Sequence, residues 1–297
     1  MSRSLRVERA GFTTLQDLGR PGWAHLGVPH SGATDRASHA LANRLAGNSH
    51  TAAMLETSGG LVLRAEHDVV VVLTGADCDA VVDDAPLSRC RATRVAAGQL
   101  VRVDRVRVGV RSYLAVAGGI DCPPLLDSRS HDALSGIVPQ LLVDGVVLHV
   151  GERHHAPHSL DMPIGPDRSG HVRLTRGPHA ELFDAAALGR LASSAWSVSE
   201  ASNRIGVRLT ARHTNGASTL GLLGSHSLGE LDSMALVRGA VQLTPSGELV
   251  VMLADHPTTG GYPVIAVVHA EDVDSMGQYE PTSSVRFLLV EESNEFA

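Results

Sequence analysis

Residues 249–268 read LVVMLADHPTTGGYPVIAVV, so an aspartate, two threonines and a glycine pair stand between two apolar, β-branched runs. That order predicts strand, exposed loop, strand, with Asp255 at the loop mouth and Thr258 and Thr259 beside Gly260 and Gly261. A glycine pair permits positive φ and lets a ligand approach the main chain. Successive N–H groups in such a turn form a nest for a carboxylate or phosphate oxygen, and the two hydroxyls would add donors. The same residues would equally serve a glycine hairpin that only reverses the chain.

Two further clusters carry chemistry-bearing side chains. Gln16, Asp17, Arg20, Ser31 and Asp35 fall in the turn-rich residues 11–35, between a first strand over 5–9 and a helix. A loop of this length inside a compact domain is usually functional or disordered, and its balance of glycine, proline and singly placed charges argues for the former. The competing reading pairs Asp17 with Arg20 to pin the loop and gives Asp35 to the helix alone. Thr34 or Ser31 would cap that helix, Asp35 would sit in its first turn, and Ala37, Leu41 and Leu45 would form its buried stripe before Gly47-Asn48 stops it. In the second half Asn203 and Arg204 stand next to Gly206, and a guanidinium fork beside an amide suits a carboxylate or phosphate. The alternative is a turn with Asn203 left-handed and Arg204 on the surface.

The elements that must position these groups are mostly strands. Short apolar runs at 61–63, 69–73, 80–82, 100–103 and 106–116 are divided by Gly59-Gly60, Gly75-Ala76-Asp77, residues 83–86 and Ala97-Gly98. Residues 128–144 are less regular, and 145–150 close the first half. Residues 151–167, rich in proline, glycine and histidine, read as a linker; His154, His155 and His158 lack an accompanying carboxylate or thiol and flank Pro157, so a solvated interdomain loop is expected over a metal site. The second half predicts a strand at 171–175, a helix from Pro178 to about 191, and strands at 196–199, 207–209, 219–223, 234–243, 249–253, 264–268 and 285–290. The expected fold class is mainly β with a few α-helices, a barrel or sandwich in each of two domains, 1–150 and 168–297.

Composition excludes several mechanisms. All 25 basic residues are arginine, which removes the P-loop lysine, the Schiff-base lysine, the lysine of a Ser–Lys amidase and the lysine that would carry covalent biotin. A net charge of −7 with 3% aromatic residues offers no phosphate-tracking patch or base-stacking platform, so no nucleic-acid partner is expected. No segment approaches the ~20 apolar residues of a membrane span. Residues 1–9 lack the apolar core of a signal peptide, and Cys78, Cys90 and Cys122 lack metal spacing, so a cytoplasmic chain with no membrane partner is expected.

Six segments combine into one pattern: Gln16-Asp17-Leu18-Gly19-Arg20; Gly27-Val28-Pro29 with Ser31-Gly32-Ala33 and Asp35; Leu73-Thr74-Gly75-Ala76-Asp77; residues 113–121; Ser202-Asn203-Arg204 with Gly206 and Arg208; and residues 258–263. Together they resemble the allophanate hydrolase subunit 2 family, also described as biotin-dependent carboxyltransferase-like, which includes the C component of 5-oxoprolinase. The resemblance implies two cyclophilin-like β-barrel domains and a heteromeric complex with a subunit 1 or B-type protein. It implies an amide or lactam substrate, with ATP and Mg acting at the level of the complex, and for the 5-oxoprolinase branch the hydrolysis of 5-oxoproline to glutamate. Asp17, Arg20, Arg204 and Asp255 are then the expected catalytic groups, and Gln16, Ser31, Asp35, Asn203, Thr258, Thr259, Gly260, Gly261 and Tyr262 the substrate- or anion-binding ones. The chain departs from the pattern at Val264, where many relatives carry lysine, and at His256-Pro257. Two other roles known in the family stay open: a regulator that sequesters the protein it pairs with, and a carboxyltransferase served by a separate biotinylated protein.

Overall fold

A computed structural model describes residues 3–165, 171–212 and 231–290. The chain packs as two compact units, one holding the described parts of Met1–Trp23 and His30–Asp167, the other Ala24–Pro29 and the described parts of Arg168–Ala297. Among the described residues no helix is long and apolar enough to cross a membrane.

The first unit is built on a ten-stranded sheet. Its main path runs Thr13–Gln16, Met54–Thr57, Leu100–Val116, Leu61–Ala65, Ser4–Arg9, Val147–Val150 and Ile120–Asp121. Val69–Val82 joins it along Leu100–Val116, from Val71 opposite Val116 to Val82 opposite Val101. Gly75-Ala76-Asp77, expected as a divider between strands, is instead a bulge inside one long strand, because the register shifts there while pairing continues on both sides. Gly75 takes a φ of 83°, and a β-carbon would lie 2.5 Å from the Arg111 carbonyl oxygen. The unbroken apolar run at 69–73 follows from burial on both faces: Val71 and Leu73 enter the main core with Leu5, Leu55 and Leu114, while Val72 packs under the helix with Ala42, Leu45 and Ala46.

That helix, Arg36–Ala46, begins and ends with defined caps. Asp35 is the N-cap itself rather than a first-turn residue, and Gly47 ends the helix at a φ of 73°. Its buried face is Ser38, His39, Ala42, Asn43, Leu45 and Ala46, so the expected Ala37–Leu41–Leu45 stripe is out of phase. The reason is polar pairing inside: Asn43 donates to the Ala52 carbonyl at 2.9 Å and accepts from Asn48 at 3.0 Å, which turns Ala37 and Ala40 outward.

Residues 151–165, expected as a free linker, run along this first unit. His155 N–H donates to Gly47 O (3.0 Å), His158 N–H to Leu45 O (2.9 Å) and Leu160 N–H to Cys90 O (2.9 Å).

The second unit is a closed barrel in the order His171–Arg176, Val264–Val268, Ala240–Leu243, Leu249–Met252, Gly206–Ala211, Ala195–Val198, Ser284–Leu289. It closes by the parallel pairing of Val172 with Phe287. Trp196, Leu209, Val241, Leu249, Val251 and Ile265 fill it, and the Trp196 indole N–H finds the Leu191 carbonyl at 3.0 Å. The helix expected from Pro178 is broken into a turn at Ala180–Leu182 and a helix at Ala187–Ser193, because Phe183 goes extended (φ −107°, ψ 155°) and buries its ring. The strand expected over 234–243 divides into Met234–Ala235 and Ala240–Leu243 around Gly239 at φ 91°. The strand expected at 219–223 lies outside the described residues.

Candidate functional site

In the first unit the loop after Thr13–Gln16 folds back onto residues 128–132. Asp17, 7% exposed, accepts from four donors: Gly19 N–H (2.8 Å), Ser128 Oγ (2.7 Å), Arg129 N–H (2.6 Å) and Ser130 Oγ (2.5 Å). Four donors from two segments make this carboxylate an anchor for two loops; the pinning role considered for Asp17 is served by serines and main chain. Arg20 is buried, donates through Nη2 to the Ser130 carbonyl and, through its backbone N–H, to His30 O at 2.8 Å. Gln16 Nε2 and Ser31 Oγ both donate to the His131 carbonyl, at 2.9 and 3.0 Å. Gln16 Oε1 and Asp132 Oδ2 are buried acceptors that meet no donor among the described residues.

Beside them lies a second buried network that sequence reasoning did not single out. Glu56, from the strand Met54–Thr57, accepts from Tyr113 Oη (2.7 Å), Thr34 N–H (2.9 Å) and Thr34 Oγ1 (3.2 Å), with Arg111 Nε at 3.5 Å. Tyr113 Oη in turn accepts the Asp35 N–H at 2.7 Å, while the Asp35 carboxylate takes Ser38 N–H (2.8 Å) and Ser38 Oγ (2.6 Å). Burial, reinforced by Glu56 and Asp35, pushes the Tyr113 phenol well above its ordinary value of 10, so it stays a donor to Glu56. His39, T-shaped against Tyr113 with ring centroids 6.4 Å apart, is lowered to about 4 by burial, against the opposing pull of Asp17 and Glu56. It is therefore a neutral imidazole in the interior. The available signal was Glu56 itself, a charged side chain in a strand whose four residues are all buried.

In the second unit Arg204 and Asp255 meet as a bidentate pair, Nε to Oδ2 at 2.8 Å and Nη2 to Oδ1 at 2.9 Å. Asp255 is fully buried and the Arg204 side chain is 12% exposed, so Arg204 is no surface residue. The main chain doubles the link, Asp255 N–H donating to Arg204 O at 3.0 Å. Asn203 Oδ1 takes the N–H groups of Ile205 (2.8 Å) and Gly206 (3.3 Å), an Asx turn at negative φ rather than a left-handed residue.

The glycine pair behaves differently from expectation. Neither Gly260 nor Gly261 adopts positive φ, and Thr259–Gly260 forms a short strand paired with Met234–Ala235, so no nest forms there through left-handed backbone. Close packing favours small residues there instead: a β-carbon on Gly260 would lie 2.8 Å from Leu236 Cδ1, the tip of a side chain that can shift, and one on Gly261 3.0 Å from the Leu231 carbonyl oxygen. Thr259 and Tyr262 are exposed and Thr258 is half-buried, so these side chains face outward from the turn. Structure thus groups Gln16, Asp17, Arg20, Ser31 and Asp35 in one unit, and Asn203, Arg204, Asp255 and residues 258–262 in the other. Most of the predicted carboxylates and arginines position loops; the outward groups are those of the 258–262 turn.

Comparison with known proteins places this architecture. A family model, carboxyltransferase domain, subdomain A and B, matches residues 26–289. The C component of the 5-oxoprolinase of Escherichia coli (strain K12) is 35% identical over 289 residues, covering 96% of this chain and 90% of that protein. The urea amidolyase of Lachancea kluyveri is 31% identical over 94% of this chain but only 16% of its own length. The solved structure of TTHA0988 superposes with a TM-score of 0.83 at 33% identity, over 97% of this chain and 56% of that one. With the fold, the loop clusters and these matches in agreement along nearly the whole chain, the protein belongs to the carboxyltransferase domain, subdomain A and B, family.

Proposed function

We propose that this chain is the C-type component of a heteromeric, ATP-dependent enzyme that opens an amide or lactam C–N bond, with 5-oxoproline converted to glutamate as the reaction. The observation that carries the reading is extent: the relation to the C component of 5-oxoprolinase covers 90% of that protein, so the similarity is to a whole subunit. ATP, with Mg, acts at the level of the complex, and a B-type protein is the partner. The Arg204–Asp255 pair fixes the ends of the loops carrying Asn203 and the 258–262 turn. Thr258, Thr259 and Tyr262 then stand where a substrate oxyanion can be met, and Asp17 and Asp35 hold the 16–35 loop in register. The Asp17 and Asp255 carboxylates already accept several donors or an arginine, which suits a chain whose chemistry needs groups from a partner.

The test is an ATPase and glutamate assay on this chain co-purified with its B-type partner and the third oxoprolinase component. Glutamate formation that needs all three is the expected result. ATP hydrolysis unaffected by 5-oxoproline in the complete mixture would sink the proposal. A second reading, carboxyl transfer from a separate biotinylated protein, draws on the carboxyltransferase family model and the urea amidolyase match. Its mark is consumption of carboxybiotin on adding an amide acceptor, with no glutamate formed.

A further inference from the structure

The histidine-rich residues 155–158 form one wall of a cleft. They lie along the C-terminal half of the helix Arg36–Ala46, tied to it by His155 N–H on Gly47 O and His158 N–H on Leu45 O. Between strap and helix is a cavity of about 530 Å³, inside the range of roughly 300–1,000 Å³ typical of small-molecule sites. Its floor is apolar, made by Ala37, Ala40 and Leu41, the face turned outward when His39 and Asn43 went in. Arg44, His50, His155 and His158 stand around it, and among the described residues no carboxylate lines it.

The polar groups are available. The side chain of Arg44 makes no hydrogen bond or ion pair to another described residue. The helix-end carbonyls of Asn43, Arg44, Leu45 and Gly47 are already taken by Asn48, Gly47 and the strap N–H groups, so they do not compete for it. Among the described residues no three histidine, cysteine, aspartate or glutamate side chains are grouped to hold a metal ion. An imidazole carries at least one ring N–H in either protonation state, so each of these histidines brings a donor.

We infer that this cleft binds a small organic carboxylate. The guanidinium fork of Arg44 pairs with the planar carboxylate, the imidazole N–H groups donate beside it, and the apolar body of the ligand covers Ala37, Ala40 and Leu41. Inorganic phosphate, lacking an apolar body, would leave that floor in water. None of these residues belongs to the Asp17 or Arg204–Asp255 clusters, so the inference stands independently of the proposed reaction.

Calorimetric titration of the full chain with benzoate, its neutral isostere benzamide, and inorganic phosphate tests it. Benzoate is expected to bind saturably and at least about tenfold more tightly than benzamide or phosphate, the ratio a charge-assisted pair supplies. Arg44→Gln, an exposed position, is expected to weaken benzoate about tenfold with an unchanged melting temperature, and Ala40→Trp to abolish binding by filling the floor. Absence of saturable benzoate binding, equal affinity for benzamide or phosphate, or indifference to both substitutions would each overturn it.

Discussion

Asp255 carries no exposed surface, and its carboxylate is held by Arg204 through two hydrogen bonds, so the pair rises or falls together. Removing one member of a buried pair strands the other, at a cost of about 3–5 kcal/mol. Asp255→Ala should therefore lower the urea midpoint sharply, and an apolar double replacement of Arg204 and Asp255 should lower it less than that single change. An Asp255→Ala protein with an unchanged midpoint would remove the anchoring role, and an activity loss in that variant is interpretable only beside its folding curve. His39 makes a pH prediction. Its folded value is about 4 against an ordinary 6.5, with burial the leading cause. The unfolded chain takes the proton first, so this stability is fully present above pH 6.5 and declines as pH falls toward 4, by on the order of 3 kcal/mol. Urea unfolding of the parent and of His39→Leu at pH 7 and pH 5 checks it, because the substitution should flatten that stretch of the curve.

The helix Arg36–Ala46 depends on its two ends. Asp35→Ala removes the acceptor for Ser38 N–H and Oγ, and should cost about 1–2 kcal/mol. Gly47 combines two demands, since its φ is 73° and a β-carbon there would lie 2.3 Å from the His155 carbonyl oxygen. Gly22 has a similar φ of 92° but nothing within 4 Å. Alanine at Gly22 should cost only the backbone term, about 1 kcal/mol, and alanine at Gly47 more. The difference in melting temperature between the two variants measures how firmly the 155–158 strap is held; equal values would mean that the strap yields freely. The helix was legible from its turn residues, its stop glycine and its spacing. Its phase was not, because three polar residues, Ser38, His39 and Asn43, face inward, and a pattern of apolar residues alone cannot announce a polar interior.

Across the chain, the absence of lysine has a direct consequence: a streptavidin blot of the purified protein should be blank even when biotin ligase and biotin are supplied, since no ε-amine exists to carry the group. The β-rich class and the alternation of short apolar runs with turns were likewise properties of the chain as written, because hydrophobic periodicity and turn chemistry act over a few residues. Membership of the family was readable too, since its segments lie in order along the chain. The roles of the side chains were not. Asp17 meets Ser128 and Ser130 across more than a hundred residues of chain, Glu56 meets Tyr113, and Arg204 meets Asp255. The pairings that make a reactive-looking carboxylate into an anchor are long-range, and spacing in the sequence carries no information on them. The glycine pair at 260–261 teaches the same point: composition allowed a left-handed nest, whereas folding gives neither glycine a positive φ and brings Leu236 close to Gly260 and the Leu231 carbonyl close to Gly261. Local propensity set the elements; which groups desolvate together, and so which charges are free to act, was settled only by packing.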